Sequence, residues 1–173
     1  MVSFILAMLC GLVIVMADQL SKYYIASNFL LGESADFING IVNIVYVQNR
    51  GAAWGMMSGK TLILLCFTIV VMVICIAVMI KTWNKNRLLF WSLSLVFSGG
   101  IGNLIDRIFR KGTVIDFLQF DFWQKFPVFN IADCAIVVGG AILVLYCIID
   151  TVNEYKQKRK TEEQLNKVSN EDN

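Results

Sequence analysis

Between Lys60 and Lys81 the chain runs from Thr61 to Ile80 without one charged side chain. About 20 consecutive apolar residues match the hydrocarbon thickness of a bilayer, and a backbone surrounded by lipid must satisfy its own N–H and C=O groups. A membrane-crossing helix meets both conditions. Similar runs extend from Val2 to about Tyr24, from Leu88 to about Ile108, where small and polar residues take over from Ser98, and from Ile131 to Ile149, so four crossings are expected. With 57% hydrophobic and 16% charged residues over 173 positions, the chain reads as one polytopic membrane domain.

Four crossings bring both termini to one side. The connector Lys81 to Arg87 holds Lys81, Lys85 and Arg87 with no acid, and Lys156, Lys158, Arg159 and Lys160 follow the last run, so both segments are expected in the cytoplasm. A cleavable leader ending at Val15-Met16-Ala17 is the competing reading of the first run, and the lack of any Lys or Arg before it argues against one. The loops at about 25–60 and 109–129 then lie outside the cytoplasm. Phe37 to Asn49 is rich in Ile, Val and Tyr around an Asn39-Gly40 turn, which predicts one or two short strands at the membrane surface. Residues 1–150 are expected to form the membrane domain and 151–173 a charged cytoplasmic tail without chemistry of its own.

Several function classes drop out early. A net charge of +2 without a concentrated basic face gives no case for nucleic acid. The absence of His removes His-dependent triads, HExxH metal sites and His proton shuttles. Cys10, Cys66, Cys75, Cys134 and Cys147 lie in apolar runs without a CxxC pair, so they read as buried thiols, and no metal or cofactor is expected.

The polar residues between Gly99 and Asp133 are therefore conspicuous. A carboxylate beside hydrocarbon is unfavourable by about 2.5 to 3.5 kcal/mol at a helix centre, which makes it a functional candidate. Asp116 and Asp133 are the candidate pair. Two carboxylates held close cannot both ionise easily; one then accepts a proton from water while the other donates one. The alternative is structural, with Asp133 capping the fourth helix and Asp116 decorating a loop. Asp121 ranks lower as a third carboxylate. Asp18 and Lys22 share a helix face and can pair; Asn130 and Asp133, and Asn103 with Asp106 or Arg107, also share a face.

Asp18-Gln19-Leu20-Ser21-Lys22, Asn49 to Gly55, Gly99 to Arg107, Val114 to Phe117 and Phe129 to Asp133 together resemble the signature blocks of the lipoprotein signal peptidase (signal peptidase II) family, in the same order from about Met1 to Asp150. The resemblance implies an all-α membrane protein of four transmembrane helices with a small extracytoplasmic β-sheet piece. It implies an aspartic endopeptidase of the bacterial cytoplasmic (inner) membrane that removes signal peptides from diacylglyceryl-modified prolipoproteins just before the lipidated cysteine. Asp116 and Asp133 match the family's catalytic pair. Asp18, Lys22, Asn49, Gly51, Asn103, Arg107 and Asn130 match supporting or substrate-binding groups, and Asp106 is expected to be structural. Trp54 and Cys134 stand where the family often has Phe and Ser. The expected partners are the prolipoprotein and membrane lipid, with the chain acting as a monomer.

Rival classes remain at this level. A small transporter would hold its carboxylate near the bilayer midplane between repeats, and a noncatalytic scaffold needs no paired acids. A Ser-Lys hydrolase could use Ser58 with Lys60 or Ser21 with Lys22.

Overall fold

The computed structural model of the chain describes residues 2–51, 59–83 and 85–171, with side chains through residue 163. The elements follow in the order α1 (Val2–Asn28), β1 (Ser34–Ile38), β2 (Val42–Asn49), α2 (Thr61–Thr82), α3 (Arg87–Phe109), β3 (Val114–Phe120) and α4 (Ile131–Glu171). All four helices are long and apolar enough to cross a membrane. Trp54, Gly55 and Ser58, singled out above, lie outside the described residues.

Apolar side chains cover the outside of the bundle rather than its centre: Leu62, Phe67 and Val137 are each about two-thirds exposed or more. That inversion suits a hydrocarbon surround, where lipid tails are as good a neighbour for Leu or Val as another helix is. Helix α3 is central and packs against α1, α2 and α4. Its small residues explain how. A Cβ on Gly99 would run into the carbonyl oxygen of Ala132, and one on Gly102 would lie 2.6 Å from Asp18 Oδ2 and 3.0 Å from Ala132 Cβ. Close approach of backbones is what small residues permit between membrane helices. The run that turns small and polar from Ser98 is thus the seam where three helices meet.

The three strands form an antiparallel sheet in the order β1-β2-β3. Gly40, at φ 74°, supplies the left-handed residue of the turn between β1 and β2. Ile115 and Phe117 pack with Ile25 and Tyr46 in one apolar cluster that seats the sheet on the end of α1. Strand alternation turns Asp116 to the opposite face.

Two expectations change. Asp116 lies in strand β3, not in an irregular loop: Val114, Ile115 and Phe117 fit a pleated half-buried surface, and β2 supplies a pairing edge. Only Cys75 of the five thiols is buried; Cys66, Cys134 and Cys147 are exposed and Cys10 is half-buried, because on a membrane helix an outward apolar thiol is not driven inward by water. Helix α4 passes Asp150 without a break and continues to Glu171.

Candidate active site

The N-terminus of α4 is the fixed point of the site. Asn130 precedes its first turn, and its side-chain oxygen accepts the backbone N–H of Asp133 at 2.9 Å while Asp133 Oδ2 accepts the backbone N–H of Asn130 at 3.2 Å. This reciprocal arrangement is a capping box, which satisfies two amides that a helix start leaves unpaired. The amide of Ala132 finds its acceptor on another helix, donating to Asp18 Oδ1 at 2.9 Å. Asp133 therefore does cap α4, as the structural alternative holds, yet its other oxygen is committed elsewhere: Oδ1 accepts from Asn103 Nδ2 at 2.7 Å.

Asp116 is held by two amides. Asn130 Nδ2 donates to Oδ1 at 2.6 Å and Asn49 Nδ2 donates to Oδ2 at 2.9 Å. Asn49 is itself oriented by the Gly51 backbone N–H, which donates to its side-chain oxygen at 2.8 Å. Burial pushes the Asp116 carboxyl up to about 7; the neighbouring Asp133 charge adds to the shift, and the two amide hydrogen bonds and the Lys22 charge oppose it.

Behind the pair lies a buried ionic layer. Lys22 Nζ stands 2.9 Å from Asp18 Oδ2, 3.1 Å from Asp106 Oδ2 and 3.1 Å from Asn103 Oδ1, so all three of its donors have acceptors. Lys22, Asp18 and Asp106 are fully buried. Asp106 also accepts the backbone N–H of Ile115 at 3.0 Å, which locks the residue before Asp116. Arg110 Nε meets Asp106 Oδ1 at 3.2 Å. Arg107 donates to the carbonyls of Asn103 at 3.3 Å and Gly51 at 3.5 Å, stretching from α3 to the end of β2.

All ten residues singled out above for the site come together at this one end of the bundle. Asn49, Gly51, Asn103, Arg107, Asp116 and Asp133 line a cavity of about 520 Å³. Its other walls are apolar: Phe120, Phe126 and Phe129 on one side, Ile136 and Val137 of α4 on the other. Asp18, Lys22, Asp106 and Asn130 lie beneath it as support. Asp121 instead accepts from Asn43 Nδ2 at 3.1 Å and ties β2 to the end of β3.

The geometry counts against the Ser21–Lys22 pair and against a carboxylate held at mid-helix. Ser21 Oγ donates to the Asp18 carbonyl at 2.9 Å, while Lys22 is held by two carboxylates, so this pair offers no activated hydroxyl. Both candidate acids lie at a helix start or in the sheet, not at mid-helix. Sequence reasoning missed Gln19, whose amide reaches Asp18, the Gly102 carbonyl and Asp106, and the Asp106–Arg110 pair, for which the i,i+4 spacing was the available signal. The aromatic wall gave no such signal, because Phe120, Phe126 and Phe129 are unremarkable in an apolar chain.

The family model described as signal peptidase (SPase) II matches residues 10–149. The chain is 42% identical over 144 residues to a lipoprotein signal peptidase of Enterococcus faecalis, spanning 83% of this chain and 85% of that protein. It is 35% identical over 155 residues to a lipoprotein signal peptidase of Staphylococcus aureus, spanning 89% and 94%. A bacterial membrane enzyme solved by the in meso method at 2.3 Å superposes with a TM-score of 0.80 at 34% identity, covering 85% of this chain and 90% of that one. A second, solved at 1.9 Å, gives 0.74 at 34% identity, covering 82% and 91%. With a family match over residues 10–149 and the same membrane fold, this chain belongs to the signal peptidase II family.

Proposed function

We propose that Asp116 and Asp133 are the catalytic pair of an aspartic endopeptidase that cuts diacylglyceryl-modified prolipoproteins just before the lipidated cysteine. The observation that carries the reading is the shared use of Asn130: its side chain donates to Asp116 and its backbone N–H to Asp133, on the wall of one apolar cavity. A single residue thereby sets the spacing of two carboxyl groups that come from different elements.

In the proposed reaction one carboxylate takes a proton from water, which attacks the scissile carbonyl carbon. The other, protonated, donates a hydrogen bond to that carbonyl oxygen and later passes its proton to the leaving amine. The C–N bond breaks without a covalent enzyme intermediate. The pair titrates as a unit, and the Asp116 carboxyl near 7 fits a group that gives and regains a proton at neutral pH. Arg107, Asn49 and Gly51 border the cavity and are the groups available to hold the substrate backbone, and the exposed Val137 gives the lipid and the apolar signal segment a surface along α4.

Membrane lipid is the second partner in this reading, and one copy of the chain carries a complete site. The sheet and the site lie at the bundle end opposite Lys81, Lys85, Arg87 and the basic residues 156–160, which supports an extracytoplasmic site with both termini in the cytoplasm. Residues 1–150 constitute the catalytic domain and 151–173 the tail.

The test uses purified protein in detergent with a diacylglyceryl-modified prolipoprotein and follows cleavage by gel shift. Wild type is expected to cut before the lipidated cysteine, whereas Asp116→Asn and Asp133→Asn insert and fold without cutting. Normal cleavage by either folded variant overturns the assignment of the pair.

A further inference from the structure

Asp116 lies where two cavities of different chemistry meet. The first, of about 520 Å³, runs along the apolar face of α4. A second, of about 600 Å³, shares Asn49, Asp116, Phe126, Pro127 and Val128 with it, and its remaining wall includes Gln48, Arg50, Gln119, Gln124 and Lys125. Asp116 is the one carboxylate among its described lining residues. Arg50 follows the end of β2 and Lys125 lies between β3 and α4, so two separate segments bring a cation to the same space. Both side chains are exposed, and neither forms an ion pair among the described residues. Gln48 is oriented by its hydrogen bond to the Tyr46 hydroxyl at 2.8 Å.

A peptide cut beside Asp116 has to leave the scissile bond in two directions. Its signal segment is apolar and its mature segment polar, and the two cavities divide along the same line. We propose that the second cavity receives the first residues of the mature chain and that Arg50 and Lys125 make it a specificity site favouring acidic side chains there. The inference rests on the peptidase reading of the Asp pair. It adds a cationic subsite downstream of the cut. Opposite charges in a partly open cavity attract modestly and are screened by salt, so the preference is one of degree. A contact made equally in the ground and transition states acts on KM rather than kcat.

The experiment compares three synthetic diacylglyceryl peptides in nonionic detergent, identical except that the second and third residues of the mature segment are Asp-Glu, Ser-Ser or Lys-Lys. Wild type is expected to cut the acidic peptide with a kcat/KM about three- to tenfold above the basic one, mainly through KM, with the ratio shrinking toward one at high salt. The double variant Arg50→Glu, Lys125→Glu reverses the ratio, and Arg50→Gln, Lys125→Gln flattens it; each ratio is internal to one enzyme and independent of its overall rate. Equal kcat/KM for all three peptides with wild type, or a ratio unmoved by charge reversal, overturns the subsite while leaving the peptidase reading intact. Failure of wild type to cut any of them overturns both.

Discussion

The side-chain amides of Asn103 and Asn130 hydrogen-bond to each other at 3.1 Å, and each also donates to one acid of the pair: Asn103 to Asp133 at 2.7 Å, Asn130 to Asp116 at 2.6 Å. Helix α3, strand β3 and helix α4 are joined by this one contact. Asn130→Ala should therefore weaken both carboxylate positions and the α4 cap together. Loss of the cap alone amounts to about 1 kcal/mol. Prolipoprotein cleavage is expected to fall at least about a hundredfold, as for misplacement of reacting groups by about 1 Å, and thermal unfolding in detergent shows the cap effect plus the loss of the buried hydrogen bonds to Asn103 and Asp116.

Lys22 carries the opposite balance of effects. Removing it as Lys22→Met leaves Asp18 buried without its cation and Asp106 with Arg110 alone, and breaking a buried ion pair from one side is destabilising by about 3–5 kcal/mol. A large drop in the unfolding midpoint is expected. Lys22→Arg should not restore it, because the planar guanidinium does not fit three acceptors arranged around one buried ammonium.

The Asp116 carboxyl at about 7 gives a pH signature. Above the upper apparent pKa of the pair both acids are ionised and no proton remains to donate, so kcat/KM should fall about tenfold per pH unit on the alkaline side. Asn49 donates to the Asp116 carboxylate and favours its charged form. Asn49→Ala should move the alkaline limb to higher pH, which a pH–rate profile reads directly.

Stability follows the same shift with its own sign. The folded-state pKa of Asp116 is raised above the unfolded value of about 3.9. Its contribution is then full below about pH 4 and is lost as pH rises through about 7. Asp116→Asn removes this dependence, so the variant should gain in unfolding midpoint relative to wild type between pH 4 and pH 8.

Two glycines of the helix seam should behave differently. Gly102→Ala sets a Cβ 2.6 Å from Asp18 Oδ2, displacing the carboxylate that holds the Ala132 amide, and overpacking of this kind is destabilising by about 1–3 kcal/mol. Gly140→Ala meets nothing within 4 Å and should leave the unfolding midpoint unchanged or slightly raised. Parallel unfolding curves check the contrast.

Truncation after Asp150 tests the division of the chain. The side chains from Thr151 to Glu163 are exposed, and the Arg159–Glu163 pair is a surface contact. Cleavage by the shortened protein is expected to match wild type in the gel-shift assay.

Apolar run length and the Asn39-Gly40 turn made the four helices and the first hairpin legible in the chain alone, and the position of isolated carboxylates singled out Asp116 and Asp133 as candidates. Each is a local consequence of composition: a long uncharged run has one way to satisfy its backbone in lipid, and an acid in such surroundings stands out. A cap by Asp133 was the structural alternative, while its reciprocal form with Asn130 emerged only in the structure. Tertiary structure alone decided that Asp116 belongs to a third strand, that Asp18 caps a helix more than a hundred residues away, and that Arg50 and Lys125 share a cavity. These depend on which segments are brought side by side. Side-chain hydrogen bonds and cavities between distant segments have no period in the sequence, because they are set by the close approach of α3 to α1 and α4 at Gly99 and Gly102.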